Sequence, residues 1–161
     1  MNVLGIDLGT RHFAMCFMNE KEIYHLAELD MSKIKSHKER RRMVWNLLAE
    51  IDQDTNVIKP DIIVLEKIIL FHKAHINVDT IKRLGGLSHL VIDHYYEIDS
   101  YEIMVQSWKT AILGNRSATK QDSIDYVKQK YKVETKNDNL ADAICIAECG
   151  LKFPDKLKKV E

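Results

Sequence analysis

Four consecutive apolar residues, Ile62-Ile63-Val64-Leu65, lie between Pro60-Asp61 and Glu66. Successive side chains of a strand point to opposite faces of its sheet, so a strand that is apolar at every position must be covered on both sides. This segment therefore demands a sheet with helices above and below it. The rest of the chain supplies both. Asn2–Leu8 reads as a buried strand that stops at Gly9, Phe13–Met18 as a second and Glu22–Glu28 as a third, and their short gaps predict an antiparallel meander. From Lys38 to Asp52 the period becomes helical, with Met43, Val44, Leu47, Leu48 and Ile51 in one stripe. After the strand Asp61–Glu66, the pattern predicts a long helix over Val78–Tyr96, a strand over Tyr101–Val105 and a short helix over Ser107–Leu113. The loop Gly114-Asn115-Arg116-Ser117 precedes a helix over Thr119–Tyr131, where Thr119 is the expected N-cap and Asp122 stands at the capping-box position. A last helix covers Asp138–Leu151. The expected architecture is an α/β fold with a five-stranded mixed sheet, its first three strands antiparallel, flanked by helices on both faces. With 161 residues, two prolines and no repeat, residues 1–161 are expected to form a single domain.

Composition excludes several classes. No apolar run approaches the roughly 18 residues of a membrane helix, and the opening Met1-Asn2-Val3-Leu4-Gly5 lacks the basic region of a signal peptide. No membrane partner is expected, and the expected location is the cytoplasm. Cys16, Cys145 and Cys149 read as reduced, partly buried thiols. Cys145 and Cys149 together with His72 and His75 allow a zinc site to be drawn, but such sites usually space their cysteines more closely, in turns. Basic and acidic residues balance at 24 each, yet the distribution is uneven. Ser32–Arg42 holds six Lys/Arg against one Glu, Lys152–Lys159 is also basic, and Glu97, Asp99 and Glu102 gather the opposite charge. Nucleic-acid binding depends on such local patches rather than on the sum, although charge runs are commonly just solvated helix faces.

The chemistry-bearing anomaly is carboxylate in apolar strands. Asp7 sits inside Gly5-Ile6-Asp7-Leu8-Gly9-Thr10, and Glu66 ends the fully apolar strand; burying such groups is costly unless they are paired or bound to a cation. The two strands are expected to be neighbours, which brings the carboxylates together. Asp138 and Asp142, four residues apart, share one face of the last helix. Four converging carboxylates repel, and divalent cations relieve that repulsion. Oxygen donors suit Mg²⁺ or Mn²⁺, and a pair of such ions about 3.5–4 Å apart is the standard arrangement for attack on a phosphodiester. The expected catalytic and metal-binding set is Asp7, Glu66, Asp138 and Asp142, with two ions per site. Asn139, three residues before Asp142, is the alternative fourth ligand; a carboxylate is the stronger ligand for Mg²⁺, which favours Asp138.

Gly5-Ile6-Asp7-Leu8-Gly9-Thr10-Arg11 resembles the first motif of the RuvC family of Holliday junction resolvases. Ile63-Val64-Leu65-Glu66-Lys67 resembles its second and Asp138-Asn139-Leu140-Ala141-Asp142-Ala143 its last. Ser107-Trp108-Lys109 through Gly114 to Ala118-Thr119-Lys120 follows the segment between them. The likeness spans Leu4 to about Leu151. It implies an RNase H-like fold and a structure-selective, metal-dependent endodeoxyribonuclease of recombination and repair, with Asp7, Glu66 and Asp142 as metal ligands and Lys109 and Lys120 contacting DNA near the cut. The compact chain, divergent from the cellular bacterial form, suits a phage-encoded member acting in host cytoplasm. The family's aromatic three residues after the glutamate is replaced here by Ile69, with Phe71 two further on. Ile69, Phe71, Lys82 and Arg83 complete the candidate DNA-contact set.

Expected partners are four-way or branched DNA and a second copy of the chain, since two symmetric cuts call for a C2 dimer. The wide apolar face of Val78–Tyr96, with Gly85-Gly86 in its middle, is the expected dimer helix. Three other readings compete: a YqgF-type nuclease acting on RNA, an actin- or Hsp70-like ATPase that shares the Asp-x-Gly-Thr opening, and a branched-DNA-binding protein without activity. The ATPase reading requires a second domain for which 161 residues leave no room, and no nucleotide cofactor is expected.

Overall fold

The computed structural model describes residues 1–68 and 78–160, with the side chains of 78 and 79 outside the description. Five strands, β1 (Asn2–Leu8), β2 (His12–Asn19), β3 (Ile23–Asp30), β4 (Ile62–Glu66) and β5 (Asp99–Ile103), are combined with five helices. These are α1 (His37–Gln53), α2 (Val78–His94), α3 (Val105–Leu113), α4 (Lys120–Tyr131) and α5 (Asp138–Lys152), and the order along the chain is β1-β2-β3-α1-β4-α2-β5-α3-α4-α5. The sheet order is β3-β2-β1-β4-β5, with a sixth strand, β6 (Lys158–Lys159), added antiparallel at the β5 edge. The meander is as expected: β1 pairs antiparallel with β2, and β2 with β3. β1 and β4 are parallel neighbours, with Ile6 opposite Leu65.

Two expectations are corrected. The sheet has six strands rather than five, because the basic tail pairs with β5; there Lys159 also bonds Asp99 at 2.8 Å. The fifth strand lies two residues earlier than Tyr101–Val105. Met104 keeps an extended backbone and serves as the N-cap of α3, so Val105 opens that helix instead of closing the strand.

Alternation splits the core in two. Leu4, Ile6 and Leu8 of β1 pack with Val44, Leu48 and Ile51 of α1 and Leu87 and Val91 of α2. Val3 faces the opposite layer, which is built on α5 with Trp108 of α3 and Val127 of α4. Gly5 and Asp7 share the face of Val3. At Gly5 the helix comes down to backbone distance: a Cβ there would stand 2.4 Å from the Ala147 nitrogen and 2.5 Å from the Ala143 oxygen. One turn on, a Cβ at Gly150 would meet Val64 at 2.8 Å and Val3 at 3.0 Å. Only small residues permit this approach, and the stripe Ala143–Ala147–Gly150 provides them.

Helix α4 is fixed at both ends. Thr119 and Asp122 form the expected reciprocal capping box. Near the other end, buried Glu148 of α5 accepts from the Tyr126 hydroxyl at 2.8 Å and pairs with Lys130 and Lys152. Among the described residues no helix is long and apolar enough to cross a membrane.

Candidate active site

The carboxyl ends of β1 and β4 lie side by side, so Asp7 and Glu66 emerge together at one end of the sheet. The α5 stripe that packs on β1 continues toward its N-terminus to Asn139, whose Nδ2 donates to Asp7 Oδ2 at 3.0 Å. Asp138 and Asp142 flank that residue on the same helix. The sequence thus places all four expected acids within electrostatic reach: Glu66, Asp142 and Asp138 each bear on Asp7.

The surroundings hold three of these carboxyls, Asp7, Glu66 and Asp142, above their ordinary range. Asp7 is raised well above the usual carboxylate value, first by burial and then by Glu66, Asp142 and Asp138. Burial also raises Glu66, opposed by a hydrogen bond from the Trp108 indole. Asp142 is raised by burial, with the Ser123 hydroxyl and Lys109 pulling the other way. Its Oδ1 and the neighbouring Ser123 hydroxyl are both buried, close enough for the hydroxyl to favour the carboxylate but not aligned as a hydrogen bond, which is costly for a carboxylate oxygen.

Each acid has a distinct neighbour. Trp108 Nε1 donates to Glu66 Oε2 at 2.9 Å. Lys120, at the first position of α4, pairs with Asp138. Lys109 donates to the Ala118 carbonyl at 2.8 Å and stands 5.5 Å from the centre of the Trp108 ring. Held in this way, no three His, Cys, Asp or Glu side chains among the described residues stand around one point closely enough to enclose an ion. The donor set nonetheless fits a hard divalent cation. The oxygens are crowded, partly desolvated and mutually repulsive, and one of them is orphaned.

Among the expected DNA-contact residues, Lys109 and Lys120 border this centre. Lys82 is exposed on α2, and Arg83 lies beside His37 of α1. Ile69, Phe71, His72 and His75 lie outside the described residues. The three cysteines are free and buried. Sequence reasoning passed over Trp108 and Ser123, both fully buried at the centre. A buried indole N–H needs an acceptor, so a tryptophan beside Lys109 in the matched segment was a usable signal; a lone serine on a helix carries none.

A mixed sheet of this order, with acids on its two central strands and on the helix crossing them, defines an RNase H-like α/β fold with a carboxylate centre. Residues 3–150 match the family described as Crossover junction endodeoxyribonuclease RuvC, and the chain belongs to that family. A relative of the same description from Sulfurovum sp. (strain NBC37-1) is 29% identical over 165 residues, covering 99% of this chain and 100% of its own length. The fold is shared with Thermus thermophilus RuvC (TM-score 0.73, 19% identity, 99% of this chain and 100% of that one). It is shared also with T. thermophilus RuvC in complex with a Holliday junction substrate (TM-score 0.79, 19% identity, 99% of both chains). The yeast mitochondrial Holliday junction resolvase Ydc2 is more distant (TM-score 0.57, 18% identity, 90% of this chain and 75% of that one). The chain is accordingly an endodeoxyribonuclease of crossover junctions, from a metal-dependent family.

Proposed function

We propose that the protein resolves four-way DNA junctions by paired, symmetric phosphodiester hydrolysis, with Asp7, Glu66, Asp138 and Asp142 as the ligands of two Mg²⁺ or Mn²⁺ ions. The observation that carries the reading is the burial of Asp7 among the other carboxyls; the burial first, and their charge second, hold it well above its ordinary ionisation. Such ions supply a water of lowered pKa and stabilise the leaving 3′ oxygen. The chain's own groups do the rest. Asn139 fixes one oxygen of Asp7, and Trp108 fixes one of Glu66. Lys109 and Lys120 offset the negative charge and face the scissile phosphate. Asp138 rather than Asn139 is the fourth ligand, because a carboxylate brings full negative charge to the cation where an amide oxygen brings only a dipole. Lys120 gives up its pairing with Asp138 when that ligand turns inward.

Two symmetric cuts call for a homodimer. In support, α2 is the expected contact helix, and a Cβ at Gly85 would meet nothing within 4 Å, so the helix surface there is open to close approach.

The test is a labelled four-way junction incubated with Mg²⁺. Wild type should cut it symmetrically, whereas Asp7→Asn should bind it at least as tightly and leave it uncut. Cleavage of RNA in place of the junction, or binding and cleavage lost together in Asp7→Asn, would overturn the assignment.

A further inference from the structure

We propose that the open end of the α1–α2 seam is a second phosphate-binding surface, which seats the backbone of a duplex DNA arm leading away from the carboxylate centre. The proposal rests on the junction-nuclease reading and extends it to a surface outside the cutting site.

The seam is built around His37, the first residue of α1. Its ring lies against α2 at Gly86, where a Cβ would stand 3.3 Å from Nε2. Its Nδ1 is buried with no hydrogen-bond partner. The charges that converge on it are Arg41, Arg83 and Arg40, all of one sign. Arg40 is itself buried. Its guanidinium is consumed by main-chain oxygens, donating from Nε to Ile34 at 2.8 Å and from Nη1 to Thr10 at 2.7 Å. That leaves Arg41 and Arg83 at the mouth of the seam, with Lys33, Lys35 and Lys38 exposed on the turn and first helical positions beside them.

Among the described residues this cluster differs from the other basic stretches in forming no ion pair, the carboxylate that bears on it being Asp30 opposite Lys33. Lys152 and Lys159 of the basic tail are paired with Glu148 and Asp99. Lys59 and Lys67 are paired with Glu97 and Glu102. Among the described residues no carboxylate lies within ion-pair distance of Lys33, Lys35, Lys38, Arg41, Lys82 or Arg83. A run of solvated lysines on one helix face would need no explanation. Here, however, cations from two helices and a turn are held together against their own repulsion, and phosphate is the anion that a nuclease surface meets.

Placement identifies the occupant as DNA. Thr10, which Arg40 grips, lies three residues beyond Asp7 in the β1–β2 turn. The N-terminus of α1, whose dipole adds positive potential, opens at the same end of the sheet, since β3 ends there with Asp30 opposite His12. A duplex that leaves the carboxylates over this end of the sheet, from the α5 face toward the α1–α2 face, meets this surface.

The experiment uses the full-length chain in Ca²⁺, which permits binding without cutting, on one four-way junction built with arms of about 5 bp and again with arms of about 15 bp, half and one and a half helical turns. For wild type the long-armed junction should bind more tightly. Lys38→Gln/Arg41→Gln should raise Kd for the long-armed junction about tenfold or more, flatten the log–log salt slope by about 2, and leave the short-armed Kd nearly unchanged. Arg41→Lys, which keeps a phosphate contact, should retain the wild-type slope. An unchanged slope in the double variant, or equal losses on both junctions, would overturn the proposal while leaving the nuclease reading intact. Wild type failing to bind either junction would overturn both.

Discussion

Replacing Asp7 with asparagine removes one charge from the most crowded position in the molecule and keeps its shape. The amide oxygen can still accept from Asn139 Nδ2, which stands 3.0 Å from Oδ2 in the native centre. What disappears is a desolvated charge that faces three like-charged neighbours. At an effective dielectric of about 20, one like charge some 6–8 Å away is worth roughly 2–3 kcal/mol, and the cations at Lys109 and Lys120 offset part of the sum. We expect Asp7→Asn to be more stable than wild type by about 2 kcal/mol without metal, equivalent to about 4–8 °C in Tm for a chain of this size. The pH dependence follows from linkage. The folded carboxyl binds its proton more tightly than the unfolded one, so wild type loses stability as pH rises from the ordinary carboxylate range through the raised folded value. The advantage of the variant should be complete above that window and absent below about pH 3, where Asp7 is neutral in both states. Adding Mg²⁺ should stabilise wild type by mass action and the variant much less. Thermal melts in chelator at neutral and acid pH, repeated with Mg²⁺, measure all three effects. A variant that melts below wild type at pH 7 in chelator would show that Asp7 is held by favourable contacts, and the electrostatic reasoning would be wrong.

Trp108→Phe deletes the indole donor to Glu66 while filling most of its space; metal affinity measured through cleavage should weaken about 10–100-fold, with a modest drop in Tm. Asp138→Asn should cut the cleavage rate at least about tenfold at saturating Mg²⁺ with little change in melting, because asparagine also suits a helix N-terminus; Asn139→Ala should cost less, and the opposite ranking in a single-turnover assay would make Asn139 the ligand. Gly5→Ala drives a methyl into the backbone of α5 and should destabilise by about 3 kcal/mol or more, read by urea titration, with cleavage falling in parallel. Cleavage by wild type should decline on acidification from above the ordinary carboxylate range, since Asp7, Glu66 and Asp142 all hold protons more tightly than free carboxyls, and raising Mg²⁺ should move the decline to lower pH.

Much of this was legible because the informative residues violate local expectation. An aspartate inside Gly5–Leu8 and a glutamate ending Ile62–Leu65 are conspicuous against apolar strands, and the pairing of those strands followed from the meander and the doubly covered β4. The helix periods gave α1, α4 and α5 to within a residue or two. The rest depended on partners distant in sequence. Lys158-Lys159 has no strand character and pairs only because β5 offers an edge with acids along it. The start of α3 was misplaced because Ile103-Met104-Val105 is as apolar as a strand, whereas Met104 is where the backbone turns into the helix. The surroundings of Asp138 and Asn139 cannot be read from a helical wheel, which places both near Asp142; the structure pairs the first with Lys120 and the second with Asp7.

The contact between β1 and α5 at Gly5 has a mechanical consequence. Where side chains separate a helix from a sheet, rotamer changes let the two slide by fractions of an ångström. Here main chain meets main chain, with nothing compliant between them. Asp7 and Asp142 are thus mounted on two rails of one rigid chassis, and the gap between them is set when the protein folds rather than when substrate arrives. Adjustment to DNA falls to the parts not seated on that seam, Lys120 at the tip of α4 and the turn gripped by Arg40. Amides of β1 and α5 should accordingly exchange with solvent only through global unfolding, while those around Lys120 open far more often.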